Sequence, residues 1–470
     1  MARLVSIDFL KGISILCMVV VHSVLSGIAN WDSEVLLNYA DRLPSFATYI
    51  IVLPGMILGK LGSIFTFCTG ITTALSAISI METKPKMIFF YLFKRFLFGI
   101  VLKVLEGIYN TILYNSSFFK SFEFDFVTLK FDKTGETTDA IAWAGFFVPL
   151  FIALFMSIRF LKDPRCLLVL LNALLIISWG TSPYLLDFCD SLVIYLNNHE
   201  LYFLAILINK ISQGPFMVGQ YLPYGYAGAC FSIILHYYKS WRVFWIYSVV
   251  NVVIFLTFGC MFFFIDGVDN IVDKVMADHK NIGYLMINLA LEQFFFFISY
   301  YELDYNHNLK QLYSWRKGTT FLRELSSVSL SAFLLEGFVS VNVIAWFSLI
   351  FGNAIDLSTK QILWNPIVLI VYAAFVGTLW IFIAKGWGKI GMRFSIEYQI
   401  ACILNYILNP SNYPKGATDF IYSPNKETAE KIQKNTVDIE LAVAPKSKTL
   451  STDSLDTPDV SSIESPQEQS

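Results

Sequence analysis

The sequence has few charged residues for its length. Of its 470 residues only 15% are charged, whereas 56% are hydrophobic. A soluble protein carries about 25% charged residues, so this composition excludes a chain made only of soluble domains. The net charge of −2 gives no global basic surface, and no nucleic-acid partner is therefore indicated. The chain is predicted to lie in a membrane.

Paired cysteines are also lacking. The seven cysteines are scattered through apolar segments, without a CxxC motif and without a histidine at metal-ligand spacing. This pattern predicts neither a disulfide framework nor a zinc site, and no metal is expected. The cysteines are predicted to be small buried hydrophobic residues.

The N-terminus partly fits a secretory signal. Arg3 precedes the apolar run "ISILCMVVV", and "SGIA" would serve as a cleavage site. However, Asp8 and Lys11 would interrupt the apolar core of a signal peptide, and many apolar segments follow. A first transmembrane helix fits this segment better.

Long apolar segments are abundant. Crossing a hydrocarbon layer of about 30 Å takes about 20 apolar residues. Ten segments meet this requirement, at residues 5–27, 61–81, 88–114, 138–158, 165–186, 216–238, 242–265, 281–301, 321–350 and 364–387. They predict an all-α polytopic membrane protein. Two shorter stretches, 46–59 and 201–212, are predicted to be re-entrant or interfacial elements on the non-cytoplasmic face.

The charges of the connections predict the orientation. Basic residues collect at the N-terminus and in alternate connections, at Arg3, Lys84, Lys86, Arg159, Lys162, Arg165, Lys239, Arg242, Lys310, Arg316 and Lys317. The intervening connections carry Asp and Glu instead. Because short cytoplasmic loops are enriched in Lys and Arg, both termini are predicted to be cytoplasmic.

The chain is predicted to comprise two parts. Residues 1–410 form a transmembrane domain, and residues 411–470 form a disordered cytoplasmic tail. The tail loses the apolar periodicity, and its end, "SKTLSTDSLDTPDVSSIESPQEQS", is rich in Ser, Thr, Pro and acidic residues.

The predicted location of the protein is the plasma membrane or an endomembrane.

Three ionisable residues lie in or beside the first predicted helix. Lys11 and His22 are eleven residues apart, which puts them about 20° from superposition and about 16 Å apart along a helix. Asp8 precedes Lys11 by three residues, close enough for an ion pair. Intramembrane charges commonly mark functional sites. Alternatively, Lys11 reaches the cytoplasmic interface and His22 hydrogen-bonds a neighbouring helix or lies in the outer interface.

Other predicted spans also contain polar residues. Lys103 and Glu106 are expected to form an internal ion pair, with substrate contact as the alternative. Glu292, Gln293 and Glu336 are expected to face the protein core, as structural hydrogen bonds or substrate contacts. The remaining histidines are expected to have no functional role: His199, His236, His279 and His307.

The first helix resembles the opening helix of the transmembrane acyltransferase superfamily. This superfamily includes the acyltransferase 3 family and the heparan-α-glucosaminide N-acetyltransferase catalytic domain. "RLVSIDFLKGISILCMVVVHS" is similar to its pattern R-x-x-S-L/V-D-x-x-R/K-G followed by an apolar run. In the acyltransferase 3 branch a histidine follows the basic residue after ten positions, as His22 follows Lys11 here.

Five further segments are similar to segments of that superfamily, in the same order, so that the resemblance covers residues 3–404. They are "GSIFTFCTGITTALS" (62–76), "FFYLFKRFLFGIVLKV" (89–104), "GPFMVGQYLPYGYAGACFSIILHYYK" (214–239), "ELSSVSLSAFLLEGFV" (324–339) and "FSIEYQIACIL" (394–404). Phe98 replaces a second arginine of the acyltransferase 3 branch. Residues 24–45 lack the loop histidine of the heparan branch, so His22 would have to take its role.

The resemblance implies acyl transfer from cytosolic acyl-CoA, with acetyl-CoA as the expected donor. The expected acceptor is a hydroxyl or amine of a glycan or another small molecule on the extracytoplasmic side. His22 would act as a general base or transiently accept the acyl group. Lys11, Lys94 and Arg95 would bind the CoA phosphates, and Asp8 would orient Lys11. A homodimer in the lipid bilayer is also expected.

Two alternatives remain open. A secondary transporter would suit ten spans, two half-length apolar segments and scattered membrane carboxylates, although no internal repeat is visible. An acyltransferase-like protein that has lost catalysis and retained binding would fit the same residues.

Overall fold

The computed structural model describes residues 4–25, 61–114, 137–212, 217–265, 281–356 and 361–408, with the isolated residues 28, 35, 39, 359 and 430. These parts are almost entirely helical. The helices are α1 Val5–Leu25, α2 Ser63–Thr83, α3 Ile88–Tyr114, α4 Thr137–Ser157, α5 Pro164–Asn198, α6 Tyr202–Ser212, α7 Val218–Ile233, α8 Trp241–Ile265, α9 Ile282–Tyr300, α10 Leu309–Gly318, α11 Thr320–Ser326, α12 Ser329–Phe351, α13 Pro366–Lys389 and α14 Ile396–Leu408. Two π turns, Ile234–Tyr238 and Tyr301–Tyr305, extend α7 and α9. An antiparallel pair of short strands, β1 Ile355–Asp356 and β2 Gln361–Ile362, connects α12 and α13.

Several helices begin at caps that the sequence encodes. The side chain of Asp163 accepts a hydrogen bond from the Arg165 N–H at the start of α5. Those of Asn281 and Asn365 do the same for Tyr284 and Val368, at the starts of α9 and α13. Such side-chain oxygens satisfy backbone N–H groups that have no partner within the helix.

Among the described residues, eight helices are long and apolar enough to cross a membrane: α1, α2, α4, α5, α8, α9, α12 and α13. They support an all-α, multi-pass membrane protein. The other two predicted spans coincide with α3, which carries four charged residues, and α7, whose α-helical part has 16 residues. The count of ten spans and their orientation stay predictions.

Contacts between helices give their relative directions. Lys103 and Arg95 of α3 contact Asp139 and Gly145 of α4, respectively, so these helices are antiparallel. α8 and α9 are antiparallel as well, because Phe263 lies against Gly283, whereas Gly259, one turn earlier on α8, lies against Ile287, one turn later on α9. Antiparallel neighbours agree with the alternating orientation of successive spans that the charges of the connections predict.

The structure corrects two sequence-based boundaries and places a helix at the predicted short element 201–212. The predicted span 321–350 is broken into α11 and α12, because Val328 has a non-helical backbone with ψ 26°. The predicted span 165–186 continues as α5 to Asn198, for 35 residues. Residues 202–212 form α6, and Ala205 packs with Val193 and Leu196 of α5. The predicted element 46–59 and the predicted tail 411–470 lie outside the described residues, except for residue 430.

Helix α1 connects two hydrophobic clusters. Ile7 and Leu10 pack with residues of α2, α4, α5, α7 and α9 in one cluster. Ile15, Met18 and Val19 pack with residues of α11, α12 and α13 in the other. The N-terminal half of α1, with Asp8 and Lys11, therefore belongs to a different packing environment from its C-terminal end with His22.

Candidate functional site

The beginning of α1 is held by a carboxylate from another helix. Asp304 Oδ1 accepts a hydrogen bond from the Val5 N–H at 3.0 Å, and Oδ2 accepts one from the Ser6 N–H at 2.9 Å. Arg316 Nη2 lies 3.6 Å from Asp304 Oδ1. A negative charge at a helix N-terminus complements the helix dipole, so Asp304 fixes both the position and the direction of α1.

Asp8 and Lys11 lie within the packed bundle. Asp8 is buried and Lys11 is partly buried. Both are charged neighbours of the buried Cys68 on α2, as is Glu292 of α9. Beside Lys11, Gly12 lets α11 approach closely, because a Cβ on Gly12 would come within 2.0 Å of the Leu322 carbonyl oxygen.

His22 forms a close pair with a glutamate. Its Nδ1 lies 2.6 Å from Glu336 Oε1, and each side chain is only 12% exposed. His22 is in the last turn of α1, whereas Glu336 lies on α12. Among the described residues, no hydrogen-bond partner is found for the buried Glu336 Oε2. His22 and Glu336, which are far apart in the sequence, are thus neighbours in the structure.

This pair can prepare His22 for proton transfer. With Glu336 as a carboxylate, the hydrogen bond requires a proton on Nδ1 of His22. A neutral imidazole then has its lone pair on Nε2, which can accept a proton. The arrangement supports a general base whose orientation is set by an acidic neighbour.

A buried tyrosine joins the helices around this pair. The Tyr372 hydroxyl of α13 lies 3.3 Å from the carbonyl oxygens of both Ser23 and Ser340. Ser23 follows His22 directly, and Ser340 lies one helical turn after Glu336. Tyr372 could not be identified from the sequence, because nothing in its surrounding apolar run distinguishes it from a packing residue.

Arg95 packs across α4. Its Nε donates a hydrogen bond to the Gly145 carbonyl oxygen at 3.1 Å, and its guanidinium lies 5.3 Å from the Phe98 ring centroid. A cation over an aromatic face is stabilised by the ring quadrupole. No carboxylate of the described residues forms an ion pair with Arg95 within 4 Å. Lys94, its neighbour, is exposed.

A second buried polar cluster connects α3 and α4. Lys103 Nζ lies 2.5 Å from Glu106 Oε2 and 3.0 Å from Asp139 Oδ2. Thr138 Oγ1 donates to Glu106 Oε2 at 2.9 Å. The predicted internal ion pair of Lys103 and Glu106 is confirmed, and Asp139 and Thr138 are additional members.

Glu292 forms a third polar site. It is fully buried and accepts a hydrogen bond from the Ser63 hydroxyl at the start of α2. Asn288 Nδ2 in turn donates to Ser63 Oγ at 2.7 Å. Glu292 Oε2 and Gln293 Oε1 are buried without a hydrogen-bond partner among the described residues. Glu292 thus faces the protein core, as predicted.

The other histidines differ from His22 in their surroundings. His236 Nε2 lies 2.8 Å from Glu82 Oε2, but this pair is more open, with 19% and 37% of the side chains exposed. His199 Nδ1 contacts its own helix at the Tyr195 carbonyl, and His307 lies against the Tyr305 ring. His279 lies outside the described residues.

Within the described ranges, no group of three or more His, Cys, Asp or Glu side chains is arranged to hold a metal ion. A scan of protein-family models finds no match to this chain, and a search of curated proteins finds none either.

Proposed function

We propose that this protein is a membrane-embedded acyltransferase. It moves an acyl group, with acetyl as the expected group, from cytosolic acyl-CoA to a hydroxyl or amine acceptor such as a glycan on the extracytoplasmic side. The observation that carries the proposal is the His22–Glu336 pair, with 2.6 Å between Nδ1 and Oε1. The resemblance of the first helix to the transmembrane acyltransferases gives the pair its expected chemistry.

In the proposed reaction, His22 Nε2 removes the proton from the acceptor O–H or N–H. The acceptor oxygen or nitrogen forms a bond to the thioester carbonyl carbon, and the bond from that carbon to the CoA sulfur breaks. The proton on Nε2 then passes to the departing thiolate, so that CoA leaves as the thiol and the imidazole is neutral again. Glu336 stabilises the transient imidazolium through Nδ1.

The proposed donor site lies at Lys11, Lys94 and Arg95. The exposed position of Lys94 and the lack of an ion pair at Arg95 among the described residues favour binding of phosphate groups. Along α1, Lys11 and His22 are separated by a rise of about 16 Å, which suits a donor whose phosphates and thioester lie far apart. Asp8, one turn before Lys11, orients the lysine in this proposal.

The test is acetyl transfer by the purified protein with radiolabelled acetyl-CoA and glycan acceptors. We expect His22→Gln to abolish turnover while acetyl-CoA binding persists, and Lys11→Ala to weaken binding. His236→Gln is the matched control, because it alters a second His–Glu pair of the described residues. Transfer at the wild-type rate by His22→Gln would refute the assignment of the base.

A secondary transporter is the second candidate, and the break between α11 and α12 favours it. Transporters commonly bind substrates at interrupted membrane helices. Reconstituted protein would then move substrate across vesicles without consuming acetyl-CoA. Binding of acetyl-CoA with neither transfer nor flux would instead support a non-catalytic relative of the acyltransferases.

A further inference from the structure

A carboxylate of α14 holds the beginning of α12. Glu397 Oε1 accepts hydrogen bonds from the backbone N–H groups of Leu330, at 2.5 Å, and Ser331, at 3.3 Å. Its Oε2 accepts one from the Ser331 hydroxyl at 2.7 Å. The first N–H groups of a helix have no partners inside that helix. Glu397 thus supplies partners that a continuous helix 321–350 would have provided.

Helix α14 is itself anchored. Gln399 Nε2 donates to the Tyr109 hydroxyl of α3 at 2.7 Å, and the Ile396 N–H donates to Ser331 Oγ at 2.8 Å. Ile400 and Leu404 are buried in a cluster with residues of α3 and with Leu334 of α12. Glu397 therefore acts from a fixed support and is not a mobile surface side chain.

The anchored turn lies close to Glu336. This residue follows the first residue of α12 by seven positions, or about 10 Å along the axis. Because Val328 interrupts the helix, α11 does not fix the rotation of α12 through continuous backbone hydrogen bonds. The contacts of the first turn of α12 must therefore contribute to where Glu336 points.

We propose that Glu397 is a positioning residue for the His22–Glu336 pair. By holding the Leu330 and Ser331 N–H groups, it sets the rotation of α12 that brings Glu336 Oε1 to His22 Nδ1. The inference rests on the proposed function for its significance in catalysis. The contact between Glu336 and His22 can nevertheless be measured without turnover.

The test is ¹⁵N NMR of the His22 ring in the full-length protein with labelled histidine. The chain has five histidines, and His22→Gln identifies the His22 resonances. We expect Glu397→Gln to move the His22 ¹⁵N shifts toward those of Glu336→Gln. An amide oxygen and an amide nitrogen cannot accept all three hydrogen bonds that the carboxylate accepts.

Glu302→Gln is the matched control. Glu302 also accepts two hydrogen bonds, from the side chains of Asn306 and Gln311, but it lies on the π turn after α9. We expect the His22 spectrum of this variant to match that of the wild type. Ser331→Ala, which removes one donor to Glu397, is the milder variant and replaces Glu397→Gln if the latter does not fold. A wild-type His22 spectrum in the folded variant would overturn the proposal.

Acetyl transfer measured on the same samples separates the two proposals. Altered His22 resonances in Glu397→Gln, with no transfer by the wild type, would support positioning and contradict the proposed function. Wild-type transfer with unchanged His22 resonances in Glu397→Gln would leave the proposed function intact and refute positioning.

Discussion

His22 and Glu336 are separated by 314 residues in the sequence and by 2.6 Å in the structure. Each residue is costly to place in a membrane, because a polar or charged side chain loses its hydration there. The hydrogen bond between the two side chains offsets part of the hydration that each side chain loses. The pairing also leaves the other ring nitrogen of His22 available for chemistry.

The first prediction concerns the glutamate of this pair. We expect Glu336→Gln to lower kcat for acetyl transfer by about 10²-fold, because a neutral amide stabilises the imidazolium of His22 less than a carboxylate does. The KM for acetyl-CoA should change by less than about twofold, since Glu336 lies in the outer part of the proposed path. Steady-state kinetics with Glu82→Gln as the control measures both values. Equal losses in the two variants would contradict a specific role of Glu336.

The second prediction concerns Tyr372, whose hydroxyl joins α1 and α12. Replacement by phenylalanine removes a buried donor and leaves the ring packing in place, so the free energy of unfolding should fall by about 1 kcal/mol. We also expect the pH profile of acetyl transfer to shift, because the helices that carry His22 and Glu336 lose a common anchor. Thermal unfolding in detergent and rates at several pH values measure these effects. An unchanged unfolding temperature would show that the hydroxyl contributes nothing.

The ionisable residues of the candidate site could be predicted from the sequence, but their pairing could not. Asp8, Lys11 and His22 stand out because they interrupt one apolar helix, and Glu336 stands out for the same reason in another. Their pairing depends on how α1 packs against α12. Tertiary contacts of this kind leave no periodic trace in the sequence.

The helix boundaries show a similar limit. Apolar character continues through residues 321–350, so hydropathy indicates one span, but Val328 leaves the helical conformation there. Ser327 Oγ donates a hydrogen bond to the Glu324 carbonyl oxygen at 2.6 Å. Such side-chain bonds to the backbone compete with the backbone hydrogen bonds of a helix. The partner that stabilises the new helix start, Glu397, lies more than 60 residues away. Local sequence around the break could not reveal it.

The third prediction tests the packing of Arg95. A Cβ on Gly145 would lie 2.9 Å from Arg95 Nη2, so Gly145→Ala should displace the guanidinium. If Arg95 binds CoA phosphates, the affinity for acetyl-CoA should fall by about tenfold, or about 1.4 kcal/mol. Gly180→Ala is the control, because a Cβ there meets no atom within 4 Å. Isothermal titration with acetyl-CoA would detect the difference, and equal affinities in both variants would argue against Arg95 as a donor-site residue.

The fourth prediction tests the crossing of α1 and α11. A Cβ on Gly12 would come within 2.0 Å of the Leu322 carbonyl oxygen, and backbone atoms cannot move aside as a flexible side chain can. We expect Gly12→Ala to lower the free energy of unfolding by about 3 kcal/mol. Gly386→Ala on α13, where a Cβ has no neighbour within 4 Å, should instead be neutral or slightly stabilising. Thermal unfolding of both variants measures the contrast, and similar unfolding temperatures would contradict the close approach.

The fifth prediction concerns the pH dependence of stability at Glu397, which lies on α14 beyond the last predicted span. Burial raises the pKa of the Glu397 carboxyl above its ordinary value of 4.5, against the lowering effect of hydrogen bonds from Ser331 and Leu330. A raised pKa in the folded state means that folding favours the protonated form. The associated stability is complete below about pH 4.5 and is lost as the pH rises through the folded-state pKa. Glu397→Gln has no such titration. The unfolding temperature of the wild type minus that of Glu397→Gln should therefore decrease as the pH rises from 4 toward neutrality, and a difference that stays constant or increases would contradict the raised pKa.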